Sequence, residues 1–407
     1  MDTYQWYLLP AALMLAMLWL MDMEWIYDVL NSPIANLPGP WYTVLTDAIL
    51  RYSAVTGTKV IYVDNLHNKY GPIVRIGRKE ISLRDPSVTR KVYSVKGEFP
   101  KADFYDKILT GTPNVFNTRD IETHRHYRRL LSSGIAESSL STYLPVIETK
   151  ARMAIQRMRD EAQTRRAAKS QYIRDLETVN KLGGIRVTFP FLVQLGHYVP
   201  IPFIKAAIEN RRRTVEYAEQ SVSRHYRIVE EQGEDARPTL LSKLYKAGDD
   251  GMSFDEVRSN AMAYVIAGSD TTANTLTYII WTVCKHSEIK SSLLEELQKL
   301  PENYEYVDLK PLHYLNLVIE EALRLYPAAP AGLPREIPAG GTDLFGYYIP
   351  AGYTVNIGAF SMHRNPSVFP NPEKFDPLRW NSPTKAMKES FVPFGGGSRS
   401  KFWTIPV

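Results

Sequence analysis

The chain opens on a block of apolar residues, passes through short alternating runs, settles into long helical periodicity and finishes in a proline-rich stretch. From Tyr4 to Met21, "YQWYLLPAALMLAMLWLM" is apolar apart from Gln5, and no lysine or arginine precedes Arg51. That length stands at the lower limit for a helix that crosses a bilayer. Trp6, Tyr7, Trp19 and Trp25 suit the interfacial belts, and the basic residues that follow favour a cytosolic body. Residues 1–30 are therefore predicted to be a retained membrane anchor. The alternative, a cleaved signal peptide, requires a basic start and a small-residue cleavage site, and this stretch has neither. Residues 31–41 follow as a proline-rich hinge, in which "NLPGPW" sets two prolines around Gly39 and forbids a helix.

Beyond the hinge, "GPIVRIGRKEISLRD" predicts two small strands with Ile73, Ile76, Ile81 and Leu83 on apolar faces. From about Ile121 to Leu325 apolar residues recur at three and four, most clearly in "ETHRHYRRLLSS", "FDEVRSNAMAYVIAGSDTTANTLTYIIWTVCKH" and "LHYLNLVIEEALRLYP". Of the 27 prolines, 12 then fall between Pro327 and Pro406, a density that forbids long helices and predicts loops with short strands. The fold class that follows is mainly α with small β-sheets, an α+β body over residues 42–407.

Composition narrows the function. At 407 residues and 44% hydrophobic content the chain can bury a large core. The net charge of +5 comes from 49 basic against 44 acidic residues, too mild a balance to imply nucleic acid. A single cysteine, Cys284, excludes an internal disulfide framework and a cysteine-rich metal cluster, and fits a reducing compartment.

Two stretches carry candidate chemistry. Ser253 with Glu256 forms a capping-box pattern, and the helix it starts runs to about Lys285, roughly thirty residues and about 45 Å. In its middle, "AGSDTT" places a glycine, an acid and two hydroxyls in an apolar stripe, which predicts a local distortion. A buried acid beside a hydroxyl can relay protons; a solvated Asp with Ser and Thr bonded back to the helix is the equal alternative. In "EEALR", Glu321 and Arg324 stand three apart on one helix face. Most such pairs decorate a surface; this one lies in an apolar helix, where burial with a third partner such as Arg379 of "FDPLRW" is the competing expectation.

Taken in order, the "LPGP" hinge, "AGSDTT", "EEALR", "FDPLRW" and "FGGGSR" resemble the cytochrome P-450 family of haem-thiolate monooxygenases, in the style of microsomal members from filamentous fungi. The resemblance covers nearly the whole chain. It implies haem b as cofactor, electrons from an NADPH-dependent reductase and an apolar small-molecule substrate of fungal secondary metabolism. It also implies a single pass through the endoplasmic reticulum membrane, with the lipid bilayer as a partner and no nucleic acid. By the same resemblance Asp270 and Thr271 match the acid and alcohol that pass protons during oxygen activation, and Ala267 with Gly268 match the place where the helix opens over haem. Glu321, Arg324 and Arg379 match a buried structural triad. His124, Arg128, Arg335 and Arg399 match the basic groups that hold the propionates. Phe394, Gly395 and Gly397 match the loop against the haem face. Arg125 and Arg129 belong either to a basic face for an acidic reductase or to a merely solvated helix face, and residues 99–116 would line the substrate pocket or a plain surface loop.

The family loop ends in a cysteine whose thiolate ligates iron and favours O–O cleavage. Alignment on Phe394, Gly395, Gly397 and Arg399 puts that position at residue 401, which is Lys401. An ammonium ion cannot ligate, and a neutral amine lacks the electron push of a thiolate. Cys284 lies 14 residues beyond Asp270, about 21 Å along the helix, out of reach of iron and expected to be a core thiol. His363 precedes the loop by a long stretch, and "GGGSRSK" misses the phosphate-cradle pattern because Ser400 replaces a glycine. The family also carries an apolar helical segment where Ala168 here runs straight into Lys169, and further structure after the ligand. Two functions are thus carried forward. One is a haem-dependent monooxygenase. The other is a truncated, catalytically inactive member, either a non-functional product or a membrane-tethered binding protein.

Overall fold

The computed structural model describes residues 29, 31–93, 99–108, 111–132, 137–164, 171–189, 202–233, 242 and 251–396. Its N-terminal part carries helix α1 (Ala48–Val55), helix α2 (Lys59–Tyr70), strands β1 (Ile73–Arg75) and β2 (Glu80–Leu83), helix α3 (Pro86–Val92) and the short helix α4 (Phe104–Ile108). The two strands expected from "IVRIGRKEISL" pair antiparallel, with Ile73 opposite Leu83. Strand β3 (Arg335–Glu336) and strand β6 (Thr354–Asn356), contributed by the proline-rich region, complete a four-stranded sheet in the order β1-β2-β6-β3. Strands β4 (Thr342–Leu344) and β5 (Tyr347–Ile349) make a separate hairpin, whose two-residue turn has Phe345 and Gly346 at positive φ, the geometry that matches strand twist.

The sheet buries Ile73, Ile81, Leu83, Val355 and Ile357 in one apolar cluster that also takes in Ile34 and Leu37 of the proline-rich connector. Arg75, itself buried, holds that connector in place: its guanidinium donates to the carbonyls of Ile34, Leu37 and Pro40 and to Thr43 Oγ1. A Cβ at Gly39 would lie 2.6 Å from the Arg75 carbonyl, so glycine is what permits the close approach. The proline-rich stretch at 31–41 is thus stiff, as its prolines dictate, and tied to the sheet.

The helical body follows, with α5 (Ile121–Leu131), α6 (Glu137–Thr164), α7 (Gln171–Thr188), α8 (Pro202–Gln232), α9 (Phe254–Lys285), α10 (Ser287–Leu297) and α11 (His313–Leu325). Asp120 caps α5 by accepting from the Thr123 amide at 2.6 Å, which satisfies one of the free N–H groups of the first turn. Ser253 and Glu256 close the predicted capping box on α9. Tyr127 of α5 donates to that same Glu256 at 2.6 Å, locking the middle of α5 to the start of α9. Below them Val115, Tyr127, Leu131, Val222, Val257 and Ala261 form a second core. Helix α12 (Ala359–His363), a 3-10 turn (Pro377–Asn381) and helix α13 (Lys385–Ser390) wrap around α11 before the chain reaches the glycines. Among the described residues no helix is long and apolar enough to cross a membrane, and the predicted anchor at residues 4–21 lies outside them.

Candidate active site

The site is built on α11. Glu321 and Arg324 have no exposed surface, and the Arg324 guanidinium donates to both carboxylate oxygens at 2.8 Å. Arg379 Nε and Trp380 Nε1 donate to the same carboxylate at 3.0 and 2.9 Å, and the Asp376 amide adds a fifth bond at 2.9 Å. The structure thus brings Glu321, Arg324 and Arg379 together, and it adds Trp380, which the sequence pattern did not single out. Burial of such charges is tolerable only when every donor and acceptor is matched. Arg324 spends its remaining donors on the carbonyls of His363, Pro372 and Lys374.

His363 connects this cluster to the glycine loop. Its Nδ1 stands 2.9 Å from the Arg324 carbonyl, and its Nε2 takes the Val392 amide at 2.8 Å. The second bond requires a bare Nε2, so the ring is the neutral Nδ1–H tautomer. Burial pushes its pKa down to about 3, and the nearby Arg324 and Arg364 cations push the same way. With both nitrogens committed, His363 is a structural link and not a spare metal ligand. The loop then turns at Phe394 and Gly395, where Gly395 has φ +74° and a Cβ would meet Leu333 Cδ1 at 2.6 Å. A Cβ at Gly396 would meet the Tyr93 side chain at 2.8 Å. Gly397, Arg399 and Lys401 lie outside the described residues.

Tyr93 belongs to no motif and carries no signal in the sequence. Its hydroxyl donates to the Leu333 carbonyl at 3.1 Å and accepts the Leu333 amide at 3.3 Å. Its ring carries the glycine loop on one side and the Arg335 guanidinium, 5.0 Å from the centroid, on another. Burial raises its hydroxyl pKa to about 12. Arg335 is only 3% exposed and donates to neutral oxygens alone: the Tyr105 hydroxyl at 3.2 Å and the Leu333 and Pro334 carbonyls. It has no carboxylate partner among the described residues. Lys101 pairs with Arg335 across an isolated β-bridge, and its buried ammonium group donates to the Val115 and Phe116 carbonyls. A run expected to supply apolar lining thus also supplies a buried cation. On α5, His124 is buried and Arg128 half-buried one turn later, on the same face. Arg125 is exposed and paired with Glu122, and Arg129 contacts His126.

Helix α9 departs from two expectations. The distortion predicted at "AGSDTT" is absent, and α-helix continues through Ala267, Gly268, Asp270 and Thr271. The hydroxyls do not break the ladder. Ser269 Oγ and Thr271 Oγ1 each donate at 2.7 Å to the carbonyl four residues back, whose second lone pair still serves the helix. Asp270 is half-buried, whereas Gly268 and Thr271 face solvent. Cys284, expected in the core, is exposed, because Ile279, Thr282 and Val283 take the inward positions of the last turns. Among the described residues no cluster of His, Cys, Asp or Glu could hold a metal ion.

The order of these parts, with a charge cluster under a glycine loop and a long capped helix across the body, has counterparts among known proteins. The sequence profile of the family described as Cytochrome P450 matches residues 168–400. The chain is 35% identical to the cytochrome P450 monooxygenase orf2 of Aspergillus niger, over 92% of this chain and 83% of that one. It is 36% identical to the cytochrome P450 monooxygenase tazI of Aspergillus terreus, over 92% and 84% of the two chains. The chain belongs to the cytochrome P450 family. A solved structure, the retinoic acid-bound cyanobacterial CYP120A1, shares the fold with a TM-score of 0.69 at 22% identity, over 90% of this chain and 87% of that one.

Haem b is the cofactor of cytochromes P450, whose members take electrons from a reductase and act on organic substrates. At the edge of such a group the residues fit: Arg335 is a buried cation without a carboxylate, and a propionate is the anion that would satisfy it. At the iron they do not. A cytochrome P450 needs a thiolate there, position 401 is lysine, and Cys284 sits exposed on α9.

Proposed function

We propose that this scaffold serves haem-dependent monooxygenation of an apolar small molecule in fungal secondary metabolism, with O2 and electrons from an NADPH-dependent reductase. The observation that carries it is the buried Arg335 guanidinium, matched only by neutral acceptors and held on Tyr93 beside the glycine loop. Arg335, with His124, Arg128 and Arg399, would neutralise two propionates. Asp270 and Thr271 would hold a proton path on α9, and Glu321, Arg324 and Arg379 would brace the core beneath. Residues 1–30 would anchor the body to the cytosolic face of the endoplasmic reticulum, where a membrane-bound reductase can reach it.

A second reading is favoured by Lys401: a catalytically inactive member that keeps the fold and lacks the ligand. It is also supported by the apolar side chains left in solvent on two helices, Ile147, Met153, Ile155 and Met158 on α6 and Leu276, Ile280 and Trp281 on α9, as expected if an apolar segment near 168–169 is missing. The reduced, carbon-monoxide-bound difference spectrum of the full chain, expressed with haem supplied, separates the two. A Soret band at the thiolate position supports the monooxygenase. Its absence in the parent, together with its appearance in Lys401→Cys, supports the inactive member.

A further inference from the structure

A cavity of about 580 Å3 lies between α1, α4, the last turn of α7 and the four-stranded sheet, a size that encloses a small organic molecule. Its apolar walls include Leu50, Ala54, Phe104, Ile108, Val187 and Ala331. A second hollow, of about 560 Å3, is lined by Asp106 of α4 and by residues 117–120. Among the described residues Arg119 alone lines both.

The Arg119 side chain is the partition. Its Nε donates to the Lys101 carbonyl at 2.9 Å, Nη1 to Asp106 Oδ2 at 2.9 Å and Nη2 to Glu336 Oε2 at 2.5 Å. Asp106 lines the second hollow and Glu336 the first, so at this point the wall is one planar group thick. A guanidinium has five N–H groups. Three are spent, and the other two meet no acceptor among the described residues. The side chain is 33% exposed, so a guest in the first cavity can touch it.

Charge decides which guest. Two carboxylates share this one cation, and the Asp106 bond foremost holds its pKa above the ordinary arginine value, against the effect of burial. The other lining charges are mostly matched one to one: Lys59 with Glu80, Lys107 with Asp103 and Arg51 with Asp47. Lys79 is exposed beside Glu80, and Glu80 and Glu336 flank Thr354 from opposite sides in the sheet, about 10 Å apart at two strand spacings. A guanidinium surrounded in this way repels an incoming anion and still offers N–H to a neutral oxygen.

We infer that Arg119 is the polar anchor of the first cavity, and that the cavity takes a neutral, mostly apolar molecule whose ketone or ester carbonyl accepts from the spare N–H groups, while a carboxylate is rejected by Asp106 and Glu336. The inference deepens the function proposed above and rests on that reading only in calling the guest a substrate.

Equilibrium dialysis of the full chain at low ionic strength against acetylnaphthalene, isopropenylnaphthalene and naphthoate, three probes of nearly one shape, tests it. Acetylnaphthalene is expected to bind about tenfold more tightly than isopropenylnaphthalene, the worth of one well-formed hydrogen bond, and naphthoate more weakly than either. Arg119→Met keeps the stem and removes the donors, so the acetyl preference should vanish while isopropenylnaphthalene affinity is retained. Glu336→Gln leaves an acceptor for Nη2 and removes the surplus charge, so naphthoate should gain about tenfold on isopropenylnaphthalene with the acetyl preference intact; this arm stands even if the Met variant fails to fold. Equal affinity for the two neutral probes in the parent, naphthoate binding tightest, binding of none, an acetyl preference that survives Arg119→Met, or a naphthoate affinity unmoved by Glu336→Gln overturns the assignment. Dialysis requires no electrons and no thiolate. A missing thiolate band would sink the monooxygenase and leave this result standing, and failed discrimination would do the reverse.

Discussion

Glu321→Gln is the substitution that probes the site most severely while changing almost no volume. The carboxylate accepts five hydrogen bonds, three at Oε1 and two at Oε2. An amide can accept at only one of those positions, so at least two buried donors are left facing an NH2 group. At about 1–3 kcal/mol for each orphaned donor, and with the Arg324 and Arg379 cations now lacking a counter-charge, the expected loss is about 3–5 kcal/mol. That is a third or more of the roughly 5–15 kcal/mol that holds a typical domain. Urea unfolding followed by far-ultraviolet circular dichroism measures it, and the midpoint should fall by nearly the same amount at low and high salt, because Glu321 and Arg324 have no exposed surface for ions to screen. A Gln variant within about 1 kcal/mol of the parent, or one rescued by salt, would refute the claim that this cluster is a closed, mutually dependent unit.

The buried neutral histidines make stability fall with acid. Burial holds His363 down at about 3 and His67 at about 4, below the ordinary value of about 6.5, so the unfolded chain takes up protons first and stability, complete above about pH 6.5, is lost as pH falls. At pH 5 each should cost about 2 kcal/mol, and a thermal midpoint unchanged between pH 7.5 and pH 5 would contradict this. Gly396→Ala should destabilise by about 1–3 kcal/mol through overpacking, because Tyr93, fixed by its two bonds to Leu333, cannot yield; Gly395→Ala adds a positive-φ penalty, and wild-type melting in either variant would show that the loop has slack. Arg75→Leu should release the connector, read as faster amide exchange over residues 34–43 with the α9 amides unaffected; unchanged exchange would mean that Ile34 and Leu37 alone hold it.

What was legible in the sequence was whatever repeats locally. The two strands before Leu83, the capping box at Ser253 and the apolar stripe of α11 are short-range patterns, and the structure forms them at the expected places. Motif order was enough to name the family. The glycine loop pointed to haem chemistry, but its root did not show: Tyr93 and His363 meet Leu333, Arg324 and Val392 across separations that no periodicity encodes. Lys101 was hidden for a related reason, since its neighbours in sequence are apolar and only the bridge to Arg335 reveals a buried cation. The distortion expected in α9 does not form. Hydroxyl residues weaken a helix by tenths of a kcal/mol each and glycine by about 1 kcal/mol, amounts that a 32-residue helix packed along its length tolerates.

The bond from the Val392 amide to His363 has a consequence for which positions can vary. It seats the root of the glycine loop on α12 and, through the Arg324 carbonyl, on α11, without reference to anything the loop might ligate. The shape of the loop up to Gly396 is therefore set by bonds internal to the protein, and a substitution beyond Gly396 can alter what the loop holds while leaving its root in place.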